Sequence, residues 1–182
     1  HLLKTPPDLV VAGINHGANL GQDTCYSGTV GAAMEGCLQG VPGMAVSLAS
    51  YRSDEDPGFV LARKVVTSLL SQDGLRSQLQ GGVLNVNVPN CSEAEFQGFR
   101  VCSLGHRVYD SRFHENADPR GKPYYWLGGG GVKSRDIPGS DCEAIAARCA
   151  SLTMLTPSLY AQDASQAFAD RYLSNLETGR ME

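Results

Sequence analysis

The chain has 182 residues, 42% of them hydrophobic, and a formal net charge of −4 at pH 7. Its length fits one domain that buries a sizeable core, and its mild acidity gives no electrostatic basis for binding a nucleic-acid polymer. No apolar run approaches the ~20 residues that a membrane-spanning helix needs. The six cysteines contain no C-x-x-C pair, which favours reduced thiols in a cytoplasmic protein.

The first half of the chain alternates apolar, strand-like runs with helical patterns. Leu9 to Gly13 is a continuous apolar run, which is typical of a strand covered on both faces. Asp56-Pro57 supplies an N-cap and a first helical position for the second helix. The predicted elements are strands at Leu9–Gly13, Met44–Ala49 and Val83–Val88, with helices at Thr29–Leu38 and Asp56–Gln72. Strands separated by helices in this way predict a parallel βαβαβ unit.

The second half of the chain is less regular. Strand-like runs at 99–104, 107–113 and 124–127, with a polar turn between the last two, predict an extended β-hairpin that stands off the main sheet. A four-glycine run, Gly128–Gly131, follows the hairpin. The last predicted elements are a helix that begins with a capping box at Ser140–Glu143, a strand at Ser151–Leu155 and an amphipathic helix at Ala164–Leu176.

This order of elements predicts a single α/β domain over residues 1–182, built as a three-layer, doubly wound, mostly parallel sheet. We expect its core over about 1–98 and 140–160, and the hairpin over about 99–139. A C-terminal helix is expected over about 164–178.

The segment between the first strand and the first helix is a candidate anion site. Glycines in this loop let the backbone approach a ligand, and the first N–H groups of the helix have no partner within the helix. Ser27 and Thr29 place two hydroxyl groups at the helix start, on either side of Gly28. Ligands of doubly wound folds bind at this end of the sheet. The alternative is that Ser27 and its neighbours form an ordinary helix N-cap, a role compatible with phosphate binding.

Several motifs resemble those of the SurE family of metal-dependent 5′(3′)-nucleotidases and phosphatases. The longest is PDLVVAGINHGANLGQDTCYSGTVGAAMEG over Pro7–Gly36, followed by LNVNVP, LGHRVY and DPRGKPYYW from Leu84, Leu104 and Asp118 onwards. The resemblance covers most of the chain. It implies a SurE-like fold, a phosphohydrolase acting on nucleoside 5′- and 3′-monophosphates, and a homodimer or homotetramer with neither nucleic-acid polymer nor membrane as a partner.

The same resemblance implies a set of site residues and a cofactor. One divalent ion, Mg²⁺ or Mn²⁺, would be bound by Asn15, whose alternative role is to hydrogen-bond its own loop. Substrate or phosphate would be bound by Asn19, Ser27, Gly28 and Thr29. We expect Asp23 to organise the loop, because its charge would repel a phosphate in direct contact. A general-base role for His16 stays open as an alternative.

Two further groups leave alternatives open. Asn85 and Asn87 share one face of a strand, either as a buried polar pair satisfied by loops or as substrate contacts. The basic and aromatic group of the hairpin either stacks a nucleobase or forms a subunit interface, as the resemblance implies. Its members are Arg107, Arg120, Tyr124, Tyr125 and Trp126.

The sequence departs from the family in one respect that bears on activity. The first strand of the family carries two adjacent aspartates in an Asn-Asp-Asp-Gly motif, and this sequence contains no Asp-Asp pair. We therefore expect the N-terminal strands to be missing from this chain, no catalytic residue to be assignable in it, and its activity to be impaired. The alternatives are a non-catalytic module that binds nucleotide or phosphate, and a structural fragment of a larger phosphatase.

Overall fold

The computed structural model describes residues 3–50, 58–110, 112–127 and 131–173. In chain order the elements are β1 (Val10–His16), α1 (Gly28–Leu38), β2 (Gly43–Ala49), α2 (Gly58–Leu70), α3 (Leu75–Gln78), β3 (Val83–Pro89), β4 (Phe99–Val101), β5 (Arg107–Tyr109), β6 (Phe113–Ala117), β7 (Pro123–Leu127), β8 (Val132–Ser134), α4 (Asp141–Ala146), β9 (Ala150–Leu155) and α5 (Gln162–Phe168). No helix in these ranges is long and apolar enough to cross a membrane.

The main sheet has five strands in the order β1-β2-β3-β9-β4. The pairs β1–β2, β2–β3 and β4–β9 are parallel, and only β3–β9 is antiparallel. The predicted α/β class with a mostly parallel sheet is confirmed. The carboxyl ends of β1, β2 and β3 therefore lie at one edge of the sheet, and the loop that follows β1 begins there.

Helices cover the two faces of the sheet, as a three-layer fold requires. On one face, Val30 and Ala33 of α1 pack against Ala45 and Val83. On the opposite face, a larger apolar cluster contains residues of α2 and those residues of β2 and β3 whose side chains point toward α2. Its fully or almost fully buried members include Met44, Val46, Leu61, Ala62, Val65, Val86 and Val88. The period-two alternation of β2 and β3 thus distributes their side chains between the two helix layers.

Strand β1 is longer and less buried than its sequence predicts. It continues to His16, and its residues alternate between half-buried and exposed, with Val11 44% exposed. Among the described residues β1 pairs only with β2. The expectation that both faces are covered is met only in part: Ala12 packs on the α1 side and Ile14 on the α2 side, but neither is fully buried. An apolar run does not by itself distinguish a central strand from one at an edge.

Residues 105–139 contain the predicted hairpin as an arm of two short antiparallel pairs, β5–β8 and β6–β7. Phe99–Val101, assigned to the hairpin from the sequence, instead lies in the main sheet as β4, parallel to β9. The hairpin boundary expected at about 99 is therefore too early. Backbone pairing with β9 decides the place of this strand, and that partner lies about fifty residues further along the chain.

The C-terminal helix begins at Gln162 and continues after Phe168 as a π-helix, Ala169–Leu173. None of the residues of α5 is buried. Three sequence predictions fall outside the described residues: the Asp56-Pro57 helix start, most of the Gly128–Gly131 run, and the continuation of the last helix to about 178.

Candidate functional site

Four polar side chains form a row across the carboxyl end of the sheet. Asn15 of β1 is paired with Ser47 of β2, which is paired with Asn87 of β3, which is paired with Ser151 of β9. The register of β1 shifts between Ala12 and Asn15. Because directly paired residues of a sheet point to the same face, these side chains share the face that carries α1. They form a polar floor under the loop that follows β1.

Asn19 lies on this floor and is held there by hydrogen bonds. Its Nδ2 donates to Ser47 Oγ over 2.7 Å, and its backbone N–H donates to Asn87 Oδ1 over 2.8 Å. Its carbonyl accepts from Nδ2 of both Asn85 and Asn87, over 2.9 and 3.0 Å. The two strand asparagines are therefore a buried pair that hydrogen-bonds to the loop, as one of the two alternatives predicts, although Asn85 Oδ1 has no partner among the described residues. Asn19 is 8% exposed, so its first role is to hold the loop.

Asn15 lies inside β1, one residue before the end of the strand. Its Nδ2 donates to the carbonyl of Gly17 over 2.8 Å, so the local hydrogen bond considered as an alternative is present. This bond uses only the donor end of the amide, and the acceptor Oδ1 belongs to the other end. His16, by contrast, packs its ring against Phe59 of α2, with 5.6 Å between the ring centroids.

The start of α1 combines a cap with an open backbone. Ser27 Oγ accepts a hydrogen bond from the N–H of Val30 over 3.1 Å, so Ser27 is the N-cap. Gly28 is exposed, and a Cβ built on it would meet nothing within 4 Å. Thr29 is half-buried. An anion can therefore approach the first turn without displacing protein atoms, and the dipole of the helix favours such an approach.

Asp141 fastens the loop to the arm. Its side chain is fully buried, and its two carboxylate oxygens accept from the N–H groups of Gly21 and Gly105, each over 2.8 Å. Gly21 has φ +54°, and a Cβ on it would lie 2.5 Å from the carbonyl oxygen of Gly105. Only glycine allows this approach of the two segments. The capping-box pattern predicts the helix start at Ser140, but it does not indicate this role of the residue after the cap.

Side chains of the loop also bind β5, the first strand of the arm. Gln22 brackets the backbone of Arg107: its Nε2 donates to the carbonyl over 2.6 Å, and its Oε1 accepts from the N–H over 2.9 Å. The carboxylate of Asp23 lies 3.2 Å from Nη1 of Arg107 and accepts a hydrogen bond from the hydroxyl of Tyr109. Asp23 thus joins the loop to the arm, consistent with the organising role expected for it.

A cavity of about 490 Å³ opens between the loop and the arm. Its lining includes two predicted substrate residues, Asn19 and Ser27, together with loop and arm residues that the sequence prediction did not place there. Among the described residues, the lining consists of Ala18, Asn19, Gln22, Asp23, Tyr26, Ser27 and Tyr109. The volume is in the range of small-molecule sites, so the α1 start and the cavity together can hold a small anion with an organic group attached.

The family model described as Survival protein SurE matches residues 1–111, more than half of the chain. The chain belongs to the SurE family. A protein named 5′-nucleotidase SurE from Synechococcus sp. (strain JA-3-3Ab) is 46% identical over 166 residues, which cover 91% of this chain and 63% of that protein. A protein of the same name from Myxococcus xanthus (strain DK1622) is 50% identical over 147 residues, which cover 80% of this chain and 54% of that protein.

Solved structures agree with this family assignment. A chain titled Crystal Structure of Sure Protein from Aquifex aeolicus superposes with a TM-score of 0.68 at 32% identity, over 94% of this chain and 67% of that one. The alignments span 63% and 54% of the lengths of the Synechococcus and Myxococcus relatives. The resemblance seen in the sequence motifs is confirmed, and the loop, α1 and β1 all lie within the segment that matches the SurE family model.

The described residues offer few ligands for the divalent ion that a SurE nucleotidase implies. Within residues 3–50, 58–110, 112–127 and 131–173 there is no group of three or more His, Cys, Asp or Glu side chains that could hold a metal ion. Asn15 offers a single amide oxygen at the carboxyl end of the sheet. Hard divalent ions take about six oxygen ligands. The described residues therefore do not form a metal site by themselves.

Proposed function

We propose that the chain carries the phosphate-binding half of a SurE phosphohydrolase that acts on nucleoside 5′- and 3′-monophosphates. The observation that supports this most directly is the start of α1, where Ser27 lines the cavity between the loop and the arm and is followed by the exposed Gly28. Two relatives about half identical in sequence are named 5′-nucleotidase. The assignment of Asn19, Ser27, Gly28 and Thr29 to phosphate or substrate binding belongs to this proposal.

The chain's own residues would bind and orient the phosphoryl group. The open N–H groups at Gly28 and Thr29 and the hydroxyl of Thr29 donate to phosphate oxygens, while Ser27 keeps the helix start in place. Asn19 fixes the loop through the polar floor and so sets the position of the donors. Charge-assisted hydrogen bonds of this kind are stronger than neutral ones. A helix terminus contributes only about 0.3–1 kcal/mol, which orients a phosphate ester but does not hydrolyse it.

Hydrolysis of a phosphate monoester needs a large reduction of its barrier. A divalent ion, Mg²⁺ or Mn²⁺, would polarise the phosphoryl group and activate water when bound. Asn15 is the residue of this chain proposed to ligate it, through Oδ1. Because one amide oxygen is not a complete ligand set, we propose that residues 1–182 alone hydrolyse AMP poorly.

The test is to measure AMP binding and phosphate release on the same preparation, with Mn²⁺ or Mg²⁺ against EDTA. Thr29→Val removes a hydroxyl without touching the Ser27 cap, and we expect it to weaken AMP binding about ten- to a hundredfold, the loss of one hydrogen bond to a charged group. Asn15→Ala should abolish any metal-dependent part of the release. Thr67→Val, on the far helix layer, is the control. Failure to bind AMP or inorganic phosphate would contradict the proposed function, and rapid metal-dependent turnover would contradict the impairment.

A second candidate function is nucleotide binding without turnover. It is favoured by the lack of a cluster of acidic or imidazole side chains among the described residues. Saturable AMP binding that is unchanged by EDTA, with no phosphate release, would support this function over the first.

We also propose a homodimer or homotetramer as the assembled state and the cytoplasm as its compartment. The arm strands β6 and β7 are exposed along their whole length, which favours burial against another subunit. All six cysteines are free thiols, which is typical of a reducing compartment.

A further inference from the structure

Tyr109 is the arm residue whose position is most tightly fixed by the loop. Its hydroxyl donates to the carboxylate of Asp23, and the guanidinium carbon of Arg107 lies 5.7 Å from the centroid of its ring. Arg107 is 7% exposed and is itself held to Asp23 and Gln22. The orientation of the Tyr109 ring is therefore set by side chains from two segments that are about 85 residues apart.

Tyr109 lines the same cavity as Asn19 and Ser27, two of the proposed phosphate-binding residues. Tyr26 is the second aromatic residue of this lining. A phosphate ester bound at Ser27 must extend its organic group either into this space or into solvent. Aromatic faces bind nucleobases by stacking, largely without regard to the identity of the base.

Tyr109 is better suited to this contact than Tyr26. Tyr26 is 88% exposed, whereas Tyr109 is 52% exposed and is held by hydrogen bonding and by a cation over its ring. A side chain that is already ordered loses less entropy when a ligand binds. Preorganisation therefore distinguishes the two tyrosines, although both line the cavity.

Asp23 has a charge that would oppose phosphate binding if it were unmatched. It borders the cavity, and the buried guanidinium of Arg107 lies 3.2 Å from its carboxylate. The pair offsets the negative charge, and the same Oδ2 atom of Asp23 also accepts from the Tyr109 hydroxyl. An acidic residue so close to a phosphate site is explained if its task is to place Tyr109.

We propose that Tyr109 stacks on the base of the bound nucleotide and that Asp23 is the residue that positions it. The arm then makes the site prefer nucleoside monophosphates to phosphate esters that lack a base. This inference rests on the proposed function, since it assumes a phosphate bound at the start of α1.

The experiment compares the affinity of the chain for AMP, ribose 5-phosphate and inorganic phosphate by calorimetry, in EDTA, so that no turnover is needed. We expect the parent chain to bind AMP more tightly than ribose 5-phosphate. Tyr109→Leu should weaken AMP binding by about five- to a hundredfold, the usual loss for one base stack, and leave ribose 5-phosphate unchanged. Tyr109→Phe keeps the ring and should lose less than Tyr109→Leu. Tyr160→Leu, at a tyrosine that is 70% exposed and outside the lining of this cavity, is the matched control.

Asp23→Ala tests the positioning role, because it removes the carboxylate oxygen that binds both the Tyr109 hydroxyl and Arg107. We expect AMP binding to fall toward that of Tyr109→Leu while ribose 5-phosphate binding is kept or improved. A merely structural role would lower both affinities together and lower the unfolding midpoint, which is measured for every variant.

The outcomes separate the inference from the proposed function. If Tyr109→Leu and Tyr109→Phe bind AMP as the parent does, the inference is wrong and the phosphate site stands. Equal losses for AMP and ribose 5-phosphate, or a parent that does not prefer AMP, overturn it in the same way. If the parent binds none of the three ligands, the proposed function fails and the inference fails with it.

Discussion

Two buried threonines differ in whether their hydroxyl groups have a partner. Thr24 Oγ1 donates to the carbonyl of Gly21 over 2.8 Å, whereas Thr153 Oγ1 has no hydrogen-bond partner among the described residues. We expect Thr24→Val to lower the free energy of unfolding by about 0.5–1.5 kcal/mol, because it removes a buried hydrogen bond. Thr153→Val removes a desolvated hydroxyl and should be neutral or stabilising by up to about 1 kcal/mol. Urea unfolding of both variants gives the comparison.

A Thr153→Val variant as unstable as Thr24→Val would contradict this prediction. It would mean that the Thr153 hydroxyl has a strong partner, such as an internal water shared with the neighbouring unpaired oxygens of Asn85 and Ser151. The three atoms belong to adjacent strands, since Asn85 is paired with Thr153 and Asn87 with Ser151.

At the level of residues, the sequence indicates which side chains are candidates for the site but not which of them contact one another. The loop asparagines and the α1 cap could be identified because their chemistry is local: a capping serine, a helix start and glycines. The polar floor could not, because the pairing of Asn15, Ser47 and Asn87 depends on strand register, a non-local property. Tyr109 was predicted only as part of a strand, and Asp141 only as the residue after a cap.

At the scale of elements, Asp141 connects the loop and the arm through hydrogen bonds to both. Asp141→Asn replaces one acceptor oxygen by an amide donor that faces a backbone N–H. We expect the free energy of unfolding to fall by about 2–4 kcal/mol, since a charge-assisted bond is lost and a donor is left unpaired. Asp118→Asn is the matched control: a single oxygen of Asp118 accepts from the N–H groups of Arg120 and Lys122 in an exposed turn, and an amide oxygen can keep both bonds.

The control should cost less than about 1 kcal/mol. Thermal and urea unfolding measure the stability that each variant loses. Equal losses for Asp141→Asn and Asp118→Asn would contradict a special role for Asp141. A second measurement is hydrogen exchange at Gly21 and Gly105, which should accelerate in Asp141→Asn and stay unchanged in Asp118→Asn.

The elements themselves were largely predictable where periodicity and caps agree. The helix starting near Ser27 and the buried strands β2 and β3 follow from local patterns. The extent of burial of β1 does not follow from local patterns, because an edge position depends on the neighbours of the strand. The placement of β4 beside β9 likewise depends on a partner distant in sequence, so the boundary of the arm was predicted too early.

At the scale of the whole molecule, the six thiols should differ sharply in reactivity. Cys25 is exposed, whereas burial raises the pKa of the Cys91 and Cys142 thiols and, at a half-buried position, that of Cys102. A raised pKa leaves less thiolate, the reactive form, at any pH below it. We expect iodoacetamide at pH 8 to modify Cys25 first, as mass spectrometry of timed samples would record. Modification of all six at one rate would indicate that the fold opens globally.

The strands β6 and β7 of the arm are not packed against the rest of the described chain. A two-stranded hairpin is marginally stable in water by itself, yet every residue of β6 and β7 is exposed, including Phe113, Tyr125 and Trp126 at 61–69%. Pairing places Phe113 and Tyr125 on one face and Trp126, opposite His114, on the other. Exposed apolar surface of this kind marks an interface, and a second copy of the chain is the partner that the family resemblance implies.

We therefore expect the chain to form a dimer or tetramer that one charge on the contacting face disrupts. Tyr125→Lys and Trp126→Lys place a lysine on opposite faces of the same hairpin, so the variant that dissociates identifies the face that meets the partner. Val60→Lys, at a residue of α2 that is 54% exposed, controls for an added charge elsewhere. Sedimentation velocity over a range of concentrations measures the mass. A monomeric parent contradicts self-association, and an oligomer unaffected by both arm variants places the interface elsewhere on the molecule.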